Sequence, residues 1–214
     1  QTNAAFANVG VAINVTADIL LRIVDVDNLE SVQANHLIKL GYHCVVAILC
    51  TELVAGGKSV AGVKANGKPL ALFESGAILL YLAETHDRFL GDDRWQTIEW
   101  LMLQMAGIGP MLGQAHHFLK FNKGTSDYAE ARFGKEAARL YSVLNKQLDG
   151  RDFVAGDYTI ADMALFPWAA RFEWQEIDLN DFPNVRDWYL RIADRPAVQK
   201  GYQIPKFVTE IPMP

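Results

Sequence analysis

The stretch LFESGAILLYLAE, Leu72 to Glu84, sets an acid, a hydroxyl and a glycine between two apolar runs of different period. The run before it, PLALF, is short, apolar and opened by Pro69, which suits a strand. The run after it places Ile78, Leu79, Leu82 and Ala83 at helical spacing. Glu74 and Ser75 therefore stand at a strand-to-helix junction. A helix N-terminus carries unpaired N–H groups and the positive end of the dipole, so it attracts carboxylates and phosphates. The same residues also suit a plain cap, with Ser before the helix and Glu near its first turn. On the local pattern both readings stand.

The whole chain narrows the classes. Its 214 residues allow one large domain or two small ones, with half of the residues apolar and 21% charged. A net charge of −5 argues against a nucleic-acid surface and an anionic membrane surface. No apolar run approaches the ~18 residues of a spanning helix. No basic, apolar and small-residue sequence of a signal peptide is visible at the N-terminus. Cys44 and Cys50 are the only cysteines. Within one strand they would lie roughly 20 Å apart, whereas a disulfide needs Cα atoms within about 7 Å. Unpaired thiols fit a reducing compartment, so a cytoplasmic location is expected.

Composition changes near residue 69. Before it there is no proline or tryptophan; after it come eight prolines and five tryptophans. The first part reads as alternating strands and helices, among them LLRIVDVD (20–27) and CVVAIL (44–49) as strands. HDRFLGDD (86–93) reads as the link, and from Asp92 the pattern is helical. A long amphipathic segment from Asp92 meets Gly107, Gly109 and Pro110, where a kink or break is expected before MLGQAHHFLKF resumes. A second long helix starts at a Ser126 or Asp127 cap and stops at Gly150. Thr159 and Asp162 form a capping-box pattern in YTIADMALFPW. FPNVRDWYLRIADRP is the last clear helix, closed by Pro196.

These pieces together resemble the cytosolic glutathione transferase superfamily, and within it the bacterial Nu-class, glutathione-dependent disulfide-bond reductases. The resemblance is carried by LFESGAILLYLAE, QMAGIGPMLGQAHHF (104–118), RLYSVLNKQL (139–148), YTIADMALFPW (158–168) and VRDWYLRIADRPAV (185–198). It covers about residues 69–200. It implies an α/β thioredoxin-like N-terminal domain plus an all-α C-terminal domain. The expected boundaries are 1–86 for the first domain, 87–91 for a linker and 92–214 for the helical domain with its tail.

The resemblance also implies a function and a site. Glutathione would be the cosubstrate, and a small electrophile or disulfide the second substrate. A homodimer is expected, with no metal, nucleic acid or membrane. Glu74 would pair with the amino group of the γ-glutamyl end, and Ser75 with its α-carboxylate. Val45 and Val46 would present backbone groups to the cysteinyl part. Asn8 or Thr2 would stabilise the thiolate. Arg139, or else Arg132, would reach a glutathione carboxylate; the alternative for both is a solvated or intersubunit ion pair. The rival reading is a non-catalytic glutathione-binding or assembly protein on the same fold.

The first 68 residues fit the family only in outline. Val46 stands where the family has a cis-proline, and QTNAAFANVG has no clean match to its Thr-Asn segment. Cys44 reads as a buried strand cysteine rather than a redox thiol. His116 and His117 are adjacent and point about 100° apart on a helix, unlike a zinc pair at i and i+4. They read as one buried, hydrogen-bonded histidine and one solvated histidine. The glycines of GIGPMLG follow no strand, so they are no phosphate loop. They suit a bend and a close approach, to a partner subunit or a bound thiol.

Overall fold

The computed structural model describes residues 74–203 and 210–214. The elements expected before Glu74, and with them Thr2, Asn8, Cys44, Val45, Val46 and Cys50, lie outside the described residues. Of the expected first domain, only the helix that starts at Ser75 is described.

Seven α-helices make up the described part. They are α1 (Ser75–His86), α2 (Arg94–Leu103), α3 (Gly109–Ala115), α4 (Asp127–Gln147), α5 (Ile160–Ala169), α6 (Pro183–Ala193) and α7 (Pro196–Tyr202). Local chemistry sets most of the ends. Asp93 caps α2 by accepting from the N–H groups of Trp95 and Gln96 at 3.0 and 3.1 Å. Ser126 caps α4 by accepting from Ala129 N–H at 3.3 Å, with Asp127 and Glu130 in the first turn and Lys146 in the last. Those charges complement the helix dipole.

Helix α5 is the axis of the domain. All ten of its residues are buried, and α1, α2, α3 and α6 pack around it. The capping box expected at its start is present. The box is also wired to other elements. Asp162 Oδ2 accepts from the Thr159 N–H and hydroxyl at 2.9 and 3.1 Å. Its Oδ1 accepts from Val154 N–H at 3.1 Å and from Trp188 Nε1 on α6 at 2.9 Å. Burial pushes this carboxyl above the usual range, and the bonds from Thr159, Trp188 and Val154 oppose that shift.

Two expectations about proline are met only in part. Pro110 does not break the chain away from helix. From Arg94 to Phe121 the helix is continuous, with π-helical turns over Gln104–Ile108 and His116–Phe121. Gly109 N–H donates to Gln104 O, five residues back, and the wider turn accommodates a residue with no N–H to give. The helix expected to close at Pro196 does end just before it, at Ala193, with Arg195 extended ahead of the proline, but it is not the last: Pro196 also starts α7. A proline at the first helical position loses nothing, because that N–H has no intrahelical acceptor. Beyond α7, Pro212 O accepts from the Tyr189 hydroxyl at 2.6 Å, which fixes the C-terminal residues on α6.

Within this chain, Gly109 permits a close approach to Trp168. A Cβ on Gly109 would lie 2.8 Å from Gln104 Nε2, 3.1 Å from Gln104 O and 3.3 Å from Trp168 Cε2. Gly109→Ala is expected to cost about 1–3 kcal/mol by overpacking, despite alanine's better helix propensity. Gly107→Ala is the control. Its Cβ would meet only Leu103 Cδ1 at 3.5 Å, so a gain of up to ~1 kcal/mol is expected. Thermal melts of the two variants should therefore move in opposite directions.

Candidate functional site

The junction at Glu74 and Ser75 forms the start of α1. Glu74 is the N-cap residue and Ser75 the first helical one. Leu79, Leu82, Ala83 and His86 bury the inner face, and Glu74 O accepts the first helical bond from Ile78 N–H at 3.0 Å. The plain-cap reading, with Ser before the helix, is not what forms: Ser75 lies inside the helix, and Glu74 at the N-cap makes no side-chain capping hydrogen bond. Its backbone instead has φ 68° and ψ 123°, a conformation that L-residues avoid. The carboxylate of Glu74 is exposed, and among the described residues no side chain caps the first N–H groups of α1.

Met105 anchors this junction from the other side. Ser75 Oγ lies 3.8 Å from Met105 Sδ, and a Cβ on Gly76 would meet Met105 Cγ at 3.0 Å. Met105 sits in the first π-helical turn. Sequence spacing gives it no part, since a methionine within an amphipathic pattern reads as core. The π-turn shifts the register of the helix and brings Met105 against Ser75 and Gly76.

The two arginines of α4 are exposed. Arg139 makes a bidentate pair with Glu136 on its own helix, Nε to Oε2 at 2.8 Å and Nη2 to Oε1 at 2.7 Å. The Arg139 hydrogen bond and charge hold the Glu136 carboxyl below its ordinary value. Arg132 donates to the Tyr128 hydroxyl at 3.4 Å.

His116 and His117 divide as expected, one buried and hydrogen-bonded, the other exposed. Gln175 organises the buried one. Its Oε1 accepts from the Tyr141 hydroxyl at 2.7 Å. Its Nε2 lies 2.8 Å from the Trp168 carbonyl and 2.9 Å from His116 Nε2. An amide nitrogen can only donate, so His116 Nε2 accepts and His116 Nδ1 carries the proton. Burial, and then the charge of Arg171, lower the His116 pKa to about 4, so the ring is neutral. Sequence spacing gives no sign of Gln175. Among the described residues, no group of three His, Cys, Asp or Glu side chains is placed to hold a metal ion.

The sequence signature of the glutathione S-transferase C-terminal domain matches residues 106–196. Glutathione S-transferase 2 of Schizosaccharomyces pombe is 32% identical over 179 residues, which cover 72% of this chain and 78% of the relative. The chain belongs to the glutathione transferase family. The disulfide-bond oxidoreductase YfcG of Escherichia coli is 49% identical over 136 residues, covering 62% of this transferase-family chain and 63% of the relative. The match thus spans less than two thirds of that relative's length. Among solved structures, a glutathione transferase from Pseudomonas putida, with one glutathione disulfide bound per subunit, superposes with a TM-score of 0.68 at 35% identity. That superposition covers 76% of this chain and 86% of the other. The helical domain around α5 thus has the C-terminal architecture of glutathione transferases.

Proposed function

We propose that this glutathione transferase-family protein is a glutathione-dependent disulfide oxidoreductase that uses the thiolate of bound glutathione. The observation that carries the reading is Glu74. Its strained backbone holds an exposed carboxylate, with no partner among the described residues, at the N-terminus of α1 beside Ser75. The γ-glutamyl end of glutathione carries an ammonium and an α-carboxylate. Glu74 suits the first, and the Ser75 hydroxyl with the helix N–H groups suits the second. The likeness to YfcG supports the disulfide chemistry, and the glutathione disulfide held by the P. putida relative is what that chemistry produces.

The reaction uses two glutathiones. The thiolate of the first attacks one sulfur of the substrate disulfide, the S–S bond breaks, and the other sulfur leaves as a thiolate. The second glutathione attacks the mixed disulfide and releases the remaining substrate thiol. One substrate disulfide is reduced to two thiols, and two glutathiones are oxidised to glutathione disulfide. Weaker transfer to small electrophiles would use the same thiolate.

Within this reading Asn8 or Thr2 and nearby N–H groups stabilise the thiolate, and Val45 and Val46 face the cysteinyl part through their backbone. Arg132 is the better placed of the two arginines to receive a glutathione carboxylate, because Glu136 already occupies Arg139. A homodimer is the proposed assembly. Trp95 and Met102, seven residues apart on α2 and 69% and 47% exposed, support an apolar contact there. A cytoplasmic location is proposed with it. Among the described residues, no helix is long and apolar enough to cross a membrane.

The double variant Cys44→Ser, Cys50→Ser tests the source of the reactive sulfur. With glutathione it is expected to reduce hydroxyethyl disulfide at close to the wild-type rate, and faster than it conjugates a chloronitrobenzene. A folded, glutathione-binding double variant with no reductase activity would place the nucleophile on the protein instead.

A further inference from the structure

A strained backbone persists only where the contacts around it over-determine it, and the strained residue at the start of α1 is Glu74, with φ 68° and ψ 123°. Its carbonyl accepts the first helical bond from Ile78 N–H, and its side chain makes no capping bond. From outside α1, Met105 bears on this start. Three of its side-chain atoms lie over Gly76: a Cβ there would meet Cγ at 3.0 Å, Sδ at 3.1 Å and Cε at 3.4 Å. The same Sδ stands 3.8 Å from Ser75 Oγ. One side chain thus covers both residues that follow Glu74.

Met105 is itself supported from behind. It lies in the π-helical turn Gln104–Ile108, which packs against α5, and it is half-buried against the hydrophobic core. Gly76 is buried, and the space that its missing Cβ leaves is where the methionine side chain sits. The covering contact is mostly packing, because a thioether is a weak hydrogen-bond acceptor. It therefore survives when the Ser75 hydroxyl turns its proton toward a ligand. A junction free to relax away from φ 68° would hold its binding shape only part of the time. Its apparent affinity for a ligand that needs that shape falls by the same fraction.

We propose that Met105 is a positioning residue for glutathione: it clamps the first turn of α1 so that Glu74 and Ser75 stand ready for the γ-glutamyl end. The clamp works by filling the space over Gly76, so a leucine of similar volume serves in its place and an alanine does not. It is present with and without ligand. Its loss shows in the affinity for glutathione and leaves the rate of the chemical step alone. The inference rests on the reading that Glu74 and Ser75 bind glutathione.

The test measures glutathione binding by calorimetry on the full chain, and KM for glutathione and kcat with hydroxyethyl disulfide as the second substrate. Met105→Ala is expected to weaken glutathione binding by about 3- to 30-fold and to raise KM in step, with kcat within about 2-fold of wild type. Met105→Leu is expected to stay within about 2-fold of wild type in all three. Met105→Val lacks Sδ and Cε, should fall between the two, and carries the comparison if the alanine variant does not fold. In the double variant Met105→Ala, Ser75→Ala the two losses of affinity should not add in full, because both act on one junction. Wild-type affinity in Met105→Ala, with losses in Glu74→Ala and Ser75→Ala, overturns the clamp and leaves the glutathione site standing. Equal losses in Met105→Ala and Met105→Leu, or fully additive losses with Ser75→Ala, also overturn it. A loss in Met105→Ala with none in Glu74→Ala and Ser75→Ala overturns it too, since Met105 then acts on something other than this junction. Wild-type affinity in all three single alanine variants overturns the clamp and the glutathione site together.

Discussion

Asp162→Ala is expected to destabilise the protein by about 3–5 kcal/mol, more than an ordinary helix cap contributes. The reason is the number of groups that converge on one carboxylate. Removing it strips the acceptor from the N–H groups of Val154 and Thr159, the indole N–H of Trp188 and the Thr159 hydroxyl. All of this lies in fully buried surroundings, where water cannot replace the lost bonds. Asp162→Asn should not rescue the loss. Oδ1 and Oδ2 each accept from two donors, so an amide NH2 at either position would face N–H groups. Urea unfolding of both variants gives the measurement. A loss below ~1 kcal/mol would show that the network is dispensable. Measured on protein that remains folded, glutathione affinity should be unchanged, because no atom of this network touches Glu74 or Ser75.

Removing the Glu74 carboxylate is expected to weaken glutathione binding by about 5- to 150-fold, the equivalent of one charge-assisted hydrogen bond. The backbone supplies a control. At φ 68° a glycine relieves strain that an alanine keeps, so Glu74→Gly should be more stable than Glu74→Ala by about 1–3 kcal/mol. Both should lose the same affinity if the carboxylate is what binds. Ser75→Ala should fall in the same range, because it removes the hydroxyl that stands 3.8 Å from Met105 Sδ while leaving the helix N–H groups in place. Calorimetry with glutathione on the three variants decides the point. Wild-type affinity in all of them would reduce the junction to the start of a helix.

The two outcomes should be separable. Asp162 acts on stability without touching the ligand, and Glu74 acts on the ligand from an exposed position that the core does not need. Evidence for that division is geometric: one carboxylate accepts four hydrogen bonds inside the domain, and the other makes no capping bond at all.

Features governed by short-range chemistry were legible in the sequence. The Ser126 cap, the α4 helix and the Thr159–Asp162 box arise from residues within one or two turns of each other, so their spacing carries the information. The start of α1 at Ser75 was also legible, as the onset of a helical period. Proline was harder, since one residue type both ends a helix and begins one. Pro196 reads as a stop in the sequence and in the structure both follows the end of α6 and starts α7, and Pro110 sits within a continuous helix because a π-turn accommodates it. Tertiary structure alone decided the rest. It set the φ of Glu74, the contact of Met105 with Ser75, the seat of Trp168 on Gly109, and the link from Tyr141 through Gln175 to His116. Gln175 lies 34 residues from Tyr141 and 59 from His116. No period or motif records such a pairing, because hydrogen bonds depend on where the packed helices bring two polar groups, and that position is fixed only once the core around α5 has formed.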